Sequence, residues 1–452
     1  MIKHRGVIVV LFLAALILLA AYPSEAQIDA GMPVKEDPPI EGVMDFARCV
    51  GLALQQSPYL TSSSLEIDVK RLDVSDAKYS FVPSFSLRTM YYVNAPPPLP
   101  GNPPFSPYLI QFITEPYNPI EIYFNMRARK YLTQVAVYAH LQIIADYLQR
   151  LAMGFLQLES VDQMAQYQNE IVPVAEQNLA FTRKRLSMGG AALADVDIAE
   201  QLLAIARAEK ERLAASRATI LEGIRNLIGL KPADPPLELD LKNARYQVLN
   251  DFNPAIATLE QAKSNSFELK GLAVRKKLQE KNVTLTYLRY LPHVVWGVQT
   301  ADPLTGRDVN GLFYLIGLEM PIWDSMKRYH DISRQKAVLK QDIAEGETKE
   351  LDLTIRWREA EQKIKDSSAG LRMAEAQERL DASKERQADI SYRAGSQQLP
   401  AYLAGQKARL DAQKNIVAAK LEYDKAVIVL RALSGDLINH FVSLGSFYEK
   451  MD

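Results

Sequence analysis

Two spacings occur twice in this sequence, and they constrain the fold more than any other feature. Intervals 60–83 and 269–292 each run 23 residues from a leucine to a proline. Intervals 189–229 and 395–435 each run 40 residues from one glycine to another. Spacings that recur in the same order are typical of a chain built from similar units. We therefore predict two internal repeats.

The same order of predicted elements occurs in each repeat: helix, strand, loop, strand, very long helix, glycine turn and helix. The first repeat covers residues 43–230 and the second covers residues 252–436. Residues 231–251 contain three prolines and are predicted to form a linker, or equatorial segment, between them. A short tail, residues 437–452, follows the second repeat.

The long helices exclude a compact domain. Residues 325–395 contain no proline, and as one helix they would extend about 100 Å at ~1.5 Å per residue. Residues 125–188 would extend about 95 Å by the same rise, with a kink expected at Pro173. Helices in globular proteins average about 11–12 residues. Helices of the predicted length fit a rod or a tube.

The helices that follow the glycine turns carry seven-residue apolar spacings, which keep one stripe against a partner helix. In the second repeat this register shifts by four residues, a stutter that locally straightens a coiled coil. An ordinary antiparallel coiled coil would also explain these positions. They are Ala199, Ala206, Leu213, Ile220 and Leu227 in the first repeat, and Leu403, Leu410, Val417, Leu421 and Ile428 in the second.

Four segments alternate in polarity as strands do: residues 84–93, 108–124, 293–300 and 312–320. Each is near the ~9–11 residues that a tilted strand needs to cross a bilayer. A soluble sheet packed on helices is the alternative. The proline-rich segment 96–107 is predicted to be the extracellular loop of the first hairpin.

Four strands cannot seal a pore by themselves. Two sheet edges would leave unpaired amides in lipid, at a cost of several kcal/mol for each group. Closing a barrel needs more strands than one chain supplies. If these strands cross a membrane, several copies must therefore share one barrel, with the long helices forming a tube beneath it.

Charge and reactive residues argue against several functions. Lys and Arg total 53 and Asp and Glu total 54, so no basic excess favours nucleic acid as a partner. Cys49 is the single cysteine, which excludes an intrachain disulfide and a cysteine-based zinc site. The five histidines form no HExxH motif. We predict no metal, no cofactor and no enzymatic activity.

The chain begins like an exported protein. Lys3 and Arg5 precede an apolar run at residues 7–22, and Ser24 and Ala26 are small residues at a cleavage site. Residues 1–26 are therefore predicted to be a signal peptide, and residues 27–42 an extended N-terminal segment. A transmembrane anchor is the alternative, although the run is short for a ~20-residue span.

These features together resemble the TolC-type outer-membrane efflux protein family, also called outer membrane factors. The resemblance covers residues 43–436. It rests on the doubled helices ending at Pro83 and Pro292, and on the strand exit Met-Pro-Ile-Trp-Asp at 320–324. It also rests on the turns RLSMG at 185–189 and SYRAG at 391–395, each followed by a helix that ends near a glycine.

The resemblance implies a fold and a function. The fold is mainly α with a β-barrel sector: antiparallel helical hairpins form a helical barrel, and each protomer adds four transmembrane β-strands. Family members are homotrimers in the outer membrane of Gram-negative bacteria. With a periplasmic adaptor (membrane fusion) protein and an inner-membrane transporter, they form the passive exit duct of a tripartite efflux pump for small molecules. A type I secretion duct and a soluble periplasmic scaffold are the alternatives.

The family's adaptor-docking residues map onto the two turns, the helical-hairpin tips. Gly189 and Gly395 would supply left-handed backbone there. Pro83 and Pro292 would mark the helix-to-strand transitions. The docking residues of the first tip would be Arg185, Leu186 and Ser187.

The family's gating residues are only partly present. Tyr392 and Asp195 occupy the positions of a tyrosine and a carboxylate that hold the entrance closed, but Gln397 stands where the partner arginine would be. Ala401 and Ala404 replace two aspartates that form an anionic ring. We therefore expect a more weakly clamped entrance, without that charge-assisted lock or cation trap.

Overall fold

The structure is a computed structural model. The predicted signal peptide, the segment 27–42, Pro83, the loop 96–107 and most of the strand exit 320–324 lie outside the residues it describes. The described residues are 43–82, 85–91, 108–114, 117–231, 234–249, 252–300, 312–320 and 325–442.

The described chain is mostly helical, as predicted. Its elements are α1 (Phe46–Gln56), α2 (Pro58–Tyr79), β1 (Phe85–Tyr91), β2 (Tyr108–Thr114), α3 (Pro119–Ser187), α4 (Leu193–Ile228), α5 (Ala244–Leu249), α6 (Leu259–Asn265), α7 (Phe267–Leu288), β3 (His293–Thr300), β4 (Leu312–Glu319), α8 (Lys327–Arg393), α9 (Leu399–Leu433) and α10 (Asp436–Phe441).

The two very long helices are present. Helix α8 has 67 residues and fills the proline-free stretch, whereas α3 has 69 residues and begins six residues earlier than predicted. At ~1.5 Å per residue each extends about 100 Å. Helix α3 continues through Pro173. None of the described helices is both long enough and apolar enough to cross a lipid bilayer.

The start of α3 corrects one strand prediction. Segment 108–124 was expected to be a strand, but β2 ends at Thr114 and α3 begins at Pro119. The side-chain oxygen of Asn118 accepts hydrogen bonds from the backbone N–H groups of Ile120 (3.1 Å) and Glu121 (3.2 Å). An asparagine cap followed by proline at the first helical position is a strong helix start, and it ends the strand pattern early.

The helices that lead into the sheet end before their prolines. Helix α2 ends at Tyr79 and α7 ends at Leu288, each four residues short of its proline. The chain leaves α7 through a tight turn, in which the Leu291 N–H donates to the Leu288 carbonyl (3.0 Å). Such i→i+3 bonds satisfy carbonyls at a helix end. Pro292 is exposed, between α7 and β3.

The four strands form one antiparallel sheet in the order β1-β2-β3-β4. Each strand has seven or eight residues. Opposed positions in antiparallel strands share a face, so the pairs Val294–Leu318 and Trp296–Ile316 place apolar positions together. Ile316 and Leu318 are 82% and 74% exposed. This face of β4 is therefore apolar and uncovered.

The helices form a layer one helix thick. Near the sheet, α3 packs between α2 and α7, and α8 packs on the other side of α7. Toward the hairpin tips, α3 packs between α4 and α9, and α8 packs on the other side of α9. One edge of the layer is therefore formed by α2 and α4, and the opposite edge by α8.

The predicted stripe of α4 is buried only in part. Ala199, Ala206 and Leu213 are buried, whereas Ile220 and Leu227 are half-buried. The buried positions shift to Ile224 and Ile228 in the last turns of the helix. The seven-residue spacing is therefore wrong after Leu213. The side chain of Ile224 packs closely on Gly154 of α3, where the missing Cβ lets the two helices approach.

In α9 the stripe is also only partly buried. Leu403, Val417 and Ile428 are buried, while Leu410 and Leu421 are half-buried. Helix α9 has neighbours on two sides, α3 and α8, so a single stripe does not describe its buried surface.

The predicted linker is a packed segment with a helix of its own, α5. Leu239 forms a parallel bridge with Met44, and the Gln247 side-chain oxygen accepts a hydrogen bond from the Phe46 N–H (3.0 Å). These contacts attach residues 234–249 to the start of the first repeat.

A buried arginine joins the linker to the end of the second repeat. Arg431 is 2% exposed. Its guanidinium donates to the Val248 carbonyl (2.6 Å) and to the Asp436 carboxylate (2.7 Å), and it lies near the rings of Phe252 and Phe441. Since its donors have acceptors, the buried charge is tolerated.

Replacing Arg431 tests this junction. Arg431→Ala leaves the Val248 carbonyl without its donor and opens a cavity, so we expect a loss of about 3 kcal/mol in the free energy of unfolding. Urea-induced unfolding in detergent measures it. Arg334→Ala is the control, because that side chain is exposed and its ion pair is with Asp331 on the same helix; its effect should be below ~0.5 kcal/mol. Equal effects would contradict this role of Arg431.

The single cysteine provides a second check on packing. Cys49 is fully buried in α1, and burial raises the pKa of its thiol to about 12. Because the thiolate is the reactive form, we expect no maleimide labelling of Cys49 in the folded protein and full labelling after denaturation. A Met188→Cys variant, at an exposed tip position, should label within minutes. Rapid labelling of native Cys49 would show that α1 is not packed as described.

Candidate functional site

The two hairpin tips are the candidate site, and each is a glycine turn. Gly189 and Gly395 both have φ +73°, the left-handed conformation that the sequence predicts. The Gly190 N–H donates to the Arg185 carbonyl (2.8 Å), and the Ser396 N–H donates to the Ser391 carbonyl (3.0 Å). This 6→1 bond is the Schellman helix ending, so both long helices end by the same turn.

After the first tip, Asp195 lies in the first turn of the returning helix, α4. Its carboxylate accepts a hydrogen bond from the Ala192 N–H (2.9 Å). A carboxylate in the first turn satisfies a free donor there and interacts favourably with the helix dipole. The observed partner of this predicted gating residue is thus in its own turn.

At the second tip, Tyr392 contacts the helix that returns from its own turn. Its ring stacks on that of Tyr402 in α9, with centroids 5.5 Å apart and planes 6° from parallel. Gln397 contributes a backbone bond, from its N–H to the Ser391 carbonyl (3.2 Å). The contacts described for Tyr392, Gln397 and Asp195 are thus each with residues of the same hairpin. Their role in gating stays a prediction.

A contact between the two tips comes from Arg185. One guanidinium nitrogen, Nη1, donates to the Gln398 side-chain oxygen (2.7 Å). The other, Nη2, donates to the Gly190 carbonyl. Arg185 was predicted at the tip, but Gln398 was not, because the family's partner arginine corresponds to position 397. The sequence signal for this contact was a long polar side chain, Gln398, directly before α9 in the second repeat.

The other predicted tip residues have mixed environments. The Ser187 hydroxyl donates to the Lys184 carbonyl at the end of α3 (2.7 Å). Leu186 packs against the core of its own hairpin, and Leu410 of α9 joins that core. The two alanines that replace the family's aspartates, Ala401 and Ala404, are exposed on α9. The buried core residues are Ile171, Ala175, Leu179, Val196, Ala199, Leu203 and Ala206.

Farther from the tips than this core, a buried polar cluster connects the two hairpins. Gln168 of α3 is 2% exposed. Its amide donates to the Ala206 carbonyl of α4 (2.8 Å) and accepts from the Lys414 ammonium of α9 (2.7 Å). Lys414 also lies 3.6 Å from Glu209 of α4. Sequence reasoning missed this cluster, which the polar residue at 168 could have indicated.

Ion pairs elsewhere at the tips stay within one hairpin. Arg183 of α3 pairs with Glu200 of α4 at 2.6 Å, and Arg393 pairs with Asp389 within α8. Within the described ranges, no three His, Cys, Asp or Glu side chains are placed so that they could hold a metal ion.

Comparison with known proteins gives a family match in the first repeat. Residues 49–230 match the outer membrane efflux protein family. The search of curated proteins found no match to this chain.

Solved structures match over most of the chain. The CmeC outer membrane channel of Campylobacter jejuni is 14% identical with a TM-score of 0.72, covering 90% of this chain and 89% of CmeC. The open MtrE outer membrane channel of Neisseria gonorrhoeae is 13% identical with a TM-score of 0.70, covering 87% and 89%. The outer-membrane channel OprN is 16% identical with a TM-score of 0.71, covering 86% and 89%.

At these identities the solved structures establish the fold, and the family match adds sequence evidence. All three are channels rather than enzymes. Together they confirm the predicted resemblance: the chain is similar to the TolC-type outer-membrane efflux proteins, in sequence over residues 49–230 and in fold over most of its length.

Proposed function

We propose that this chain is the passive exit duct of a tripartite efflux pump, which carries small molecules across the periplasm and the outer membrane of a Gram-negative bacterium. Three copies would close a 12-stranded barrel, continued by a helical barrel. The observation that carries the proposal is geometric. A four-stranded sheet and a helical layer one helix thick are joined end to end, and both have two open edges.

The open sheet edges favour a closed assembly. Strands β1 and β4 each pair on one side within the described sheet. Unpaired backbone groups are costly in lipid, so a membrane sheet must close on itself. The exposed apolar face at Ile316 and Leu318 suits a lipid-facing surface. The number of copies in the assembly, three, comes from the family resemblance.

The helical layer also has apolar side chains along its edges. On α4, Ile198, Leu202 and Ile205 form an exposed stripe at helical spacing that α3 does not cover. In a ring of copies, the α4 edge of one copy would meet the α8 edge of the next. Exposed aliphatic residues and methionines on α8 are Ile343, Leu351, Ile355, Met373, Leu380 and Ile390.

Exposed tyrosines surround the junction between helices and sheet. Tyr79, Tyr123, Tyr287 and Tyr329 all lie within about ten residues of a strand and are exposed. Tyrosine is enriched where a membrane meets water, because its ring is apolar and its hydroxyl is polar. This belt supports a membrane boundary at the end of the sheet.

The two repeats and the docking role of the tips belong to the same proposal. Both halves contain a helix, two strands, a long helix, a Schellman turn and a returning helix, which supports internal repeats at 43–230 and 252–436. The two tips would bind the periplasmic adaptor, which links the duct to the inner-membrane transporter.

A charge on the α4 edge tests assembly. Ile205 is 62% exposed in the single chain, so Ile205→Lys should leave its hairpin folded while placing an unpaired charge in the interface between copies. We expect at least a tenfold loss of trimer stability, measured by dilution and mass photometry in detergent. Tyr246→Lys, at an exposed position on α5, is the control. Unchanged assembly in Ile205→Lys would exclude α4 as an interface.

Cell fractionation and crosslinking test the function. We expect the protein to sediment with outer membranes. A photocrosslinker on Met188→Cys, at the first tip, should capture a periplasmic adaptor, whereas the same probe on Tyr246→Cys should not. Capture of an adaptor that works with an ABC transporter would indicate type I secretion. A protein that stays in the soluble periplasmic fraction would exclude the duct.

The alanines at 401 and 404 predict weak block by multivalent cations. An anionic ring would hold such cations in the pore, and this chain has none at those positions. In single-channel recordings, periplasmic hexaamminecobalt should block the native channel weakly. Block should increase at least tenfold in an Ala401→Asp, Ala404→Asp variant. Strong block of the native channel would contradict the expectation.

A further inference from the structure

We propose that a cleft at the end of α9 binds N-acetylated amino-sugar units, the building blocks of cell-wall glycan. The cleft has a volume of about 460 Å³, within the ~300–1,000 Å³ typical of small-ligand sites. It is lined by residues of α6, α10, the end of α9 and the segment that leads from the linker into α6. The inference goes beyond the proposed duct and depends on it only for placing the cleft in the periplasm.

Three carboxamide side chains line the cleft, and the chain's own backbone holds one end of each. The side-chain oxygen of Asn253 accepts a hydrogen bond from the N–H two residues later (3.0 Å), and that of Gln261 accepts one from the N–H three residues earlier (3.2 Å). The side-chain nitrogen of Asn265 donates to the Ser434 carbonyl (2.9 Å). These contacts orient the three amides without a ligand.

The opposite ends of these amides have no hydrogen bond within the described part of the chain. The side-chain nitrogens of Asn253 and Gln261 remain as donors, and the side-chain oxygen of Asn265 remains as an acceptor. Groups that are already oriented lose less freedom when a ligand binds. The cleft therefore presents donors and an acceptor that are prepared for a polar ligand.

Gly435 gives Asn265 its position over the end of α9. Its φ is +77°, and a Cβ added to it would lie 2.8 Å from the Cβ of Asn265. In the first repeat, a Cβ added to the equivalent Gly229 would instead lie 2.6 Å from the backbone oxygen of Gln56. At this junction the second repeat thus places a carboxamide where the first repeat places backbone.

The guanidinium and the carboxylate that line the cleft neutralise each other. Arg431 is 2% exposed, and its Nε donates to the Asp436 carboxylate (2.7 Å). Its described hydrogen bonds use Nε and Nη1, so among the described residues the N–H groups of Nη2 have no acceptor. The Cζ of Arg431 lies 5.7 Å from the centre of the Phe252 ring. This ring adds an apolar surface to the lining.

An N-acetylated amino sugar matches this combination of groups. Its hydroxyl and acetamido oxygens accept hydrogen bonds, as the nitrogens of Asn253 and Gln261 require. Its hydroxyl and amide hydrogens suit the oxygen of Asn265. The C–H face of its ring suits an aromatic surface such as that of Phe252. A ligand with a net charge fits less well, because the cleft contains one group of each sign.

The position of the cleft suits a glycan layer that lies between two membranes. At ~1.5 Å per residue, α9 separates it from the second tip by about 50 Å, and α7 separates it from the sheet by about 33 Å. In the proposed duct the cleft is therefore in the periplasm, away from both the lipid and the tips. The proposal places it on the outer face of the tube, where a polymer can reach it.

Binding of chitotriose, a neutral trimer of N-acetylglucosamine, tests the inference. For the full chain in lipid nanodiscs, we expect saturable binding by isothermal titration calorimetry. Maltotriose, a trisaccharide without acetamido groups, should bind at least tenfold more weakly. No binding of chitotriose, or equal affinity for the two sugars, would overturn the proposal.

An Asn253→Asp, Gln261→Glu double variant tests the site. Each change keeps the oxygen that accepts the backbone hydrogen bond and removes the nitrogen that would donate to the sugar. The variant should stay folded, and its affinity for chitotriose should fall at least tenfold. The control, Gln177→Glu with Gln387→Glu, makes the same charge change at exposed positions on α3 and α8 and should bind like the native chain. Equal affinities in the two double variants would contradict the assignment.

A diazirine derivative of chitotriose maps the site in the native chain. We expect crosslinks within residues 252–265 and 431–440, and crosslinks confined to other segments would exclude the cleft. Purified peptidoglycan sacculi should sediment with the native chain but not with the Asn253→Asp, Gln261→Glu variant; equal sedimentation would exclude glycan binding through this cleft. All these measurements need only the folded chain, so a failure to find the protein in the outer membrane would refute the duct and leave them unaffected.

Discussion

The open edges of a layer one helix thick determine much of this structure. In a compact domain, shorter helices would pack around a common core and bury their apolar surface. The helices of 67 and 69 residues in this chain are too long for that arrangement. In this layer each long helix packs against the helices beside it. The helices at the two edges, α4 and α8, therefore have exposed apolar side chains. Within the described strands, the sheet at one end likewise has two open edges, on β1 and β4. In the proposed ring of copies, both kinds of open edge would be covered by the neighbouring copy.

Within one copy, buried polar contacts fix the register that a long apolar interface leaves weakly defined. Small residues such as Ala199 and Ala206 allow close helix packing but also permit sliding. Contacts among Gln168, Lys414 and Glu209 join α3, α4 and α9 at one position along their length. Arg431 of α9 binds the linker through the Val248 carbonyl. At the tips, by contrast, the hydrogen bond from Arg185 to Gln398, which joins the two hairpins, is exposed to solvent.

Sequence reasoning predicted the long helices, the glycine turns and the strands β1, β3 and β4, because proline spacing, glycine and alternation act locally. It extended the strand 108–124 over residues 119–124, where the Asn118 cap starts a helix instead. It overextended the α4 stripe, since the contact between Ile224 and Gly154 depends on tertiary packing. The bond from Arg185 to Gln398 joins residues 213 apart in sequence, and no local pattern indicates it.

The central claim is that single copies become a sealed duct only by sharing their edges. Native mass spectrometry of the protein released from detergent or lipid nanodiscs tests it most directly. The expected result is a trimer that retains bound lipid and dissociates only when the micelle is stripped harshly. A folded, water-soluble monomer that binds neither detergent nor lipid would contradict it.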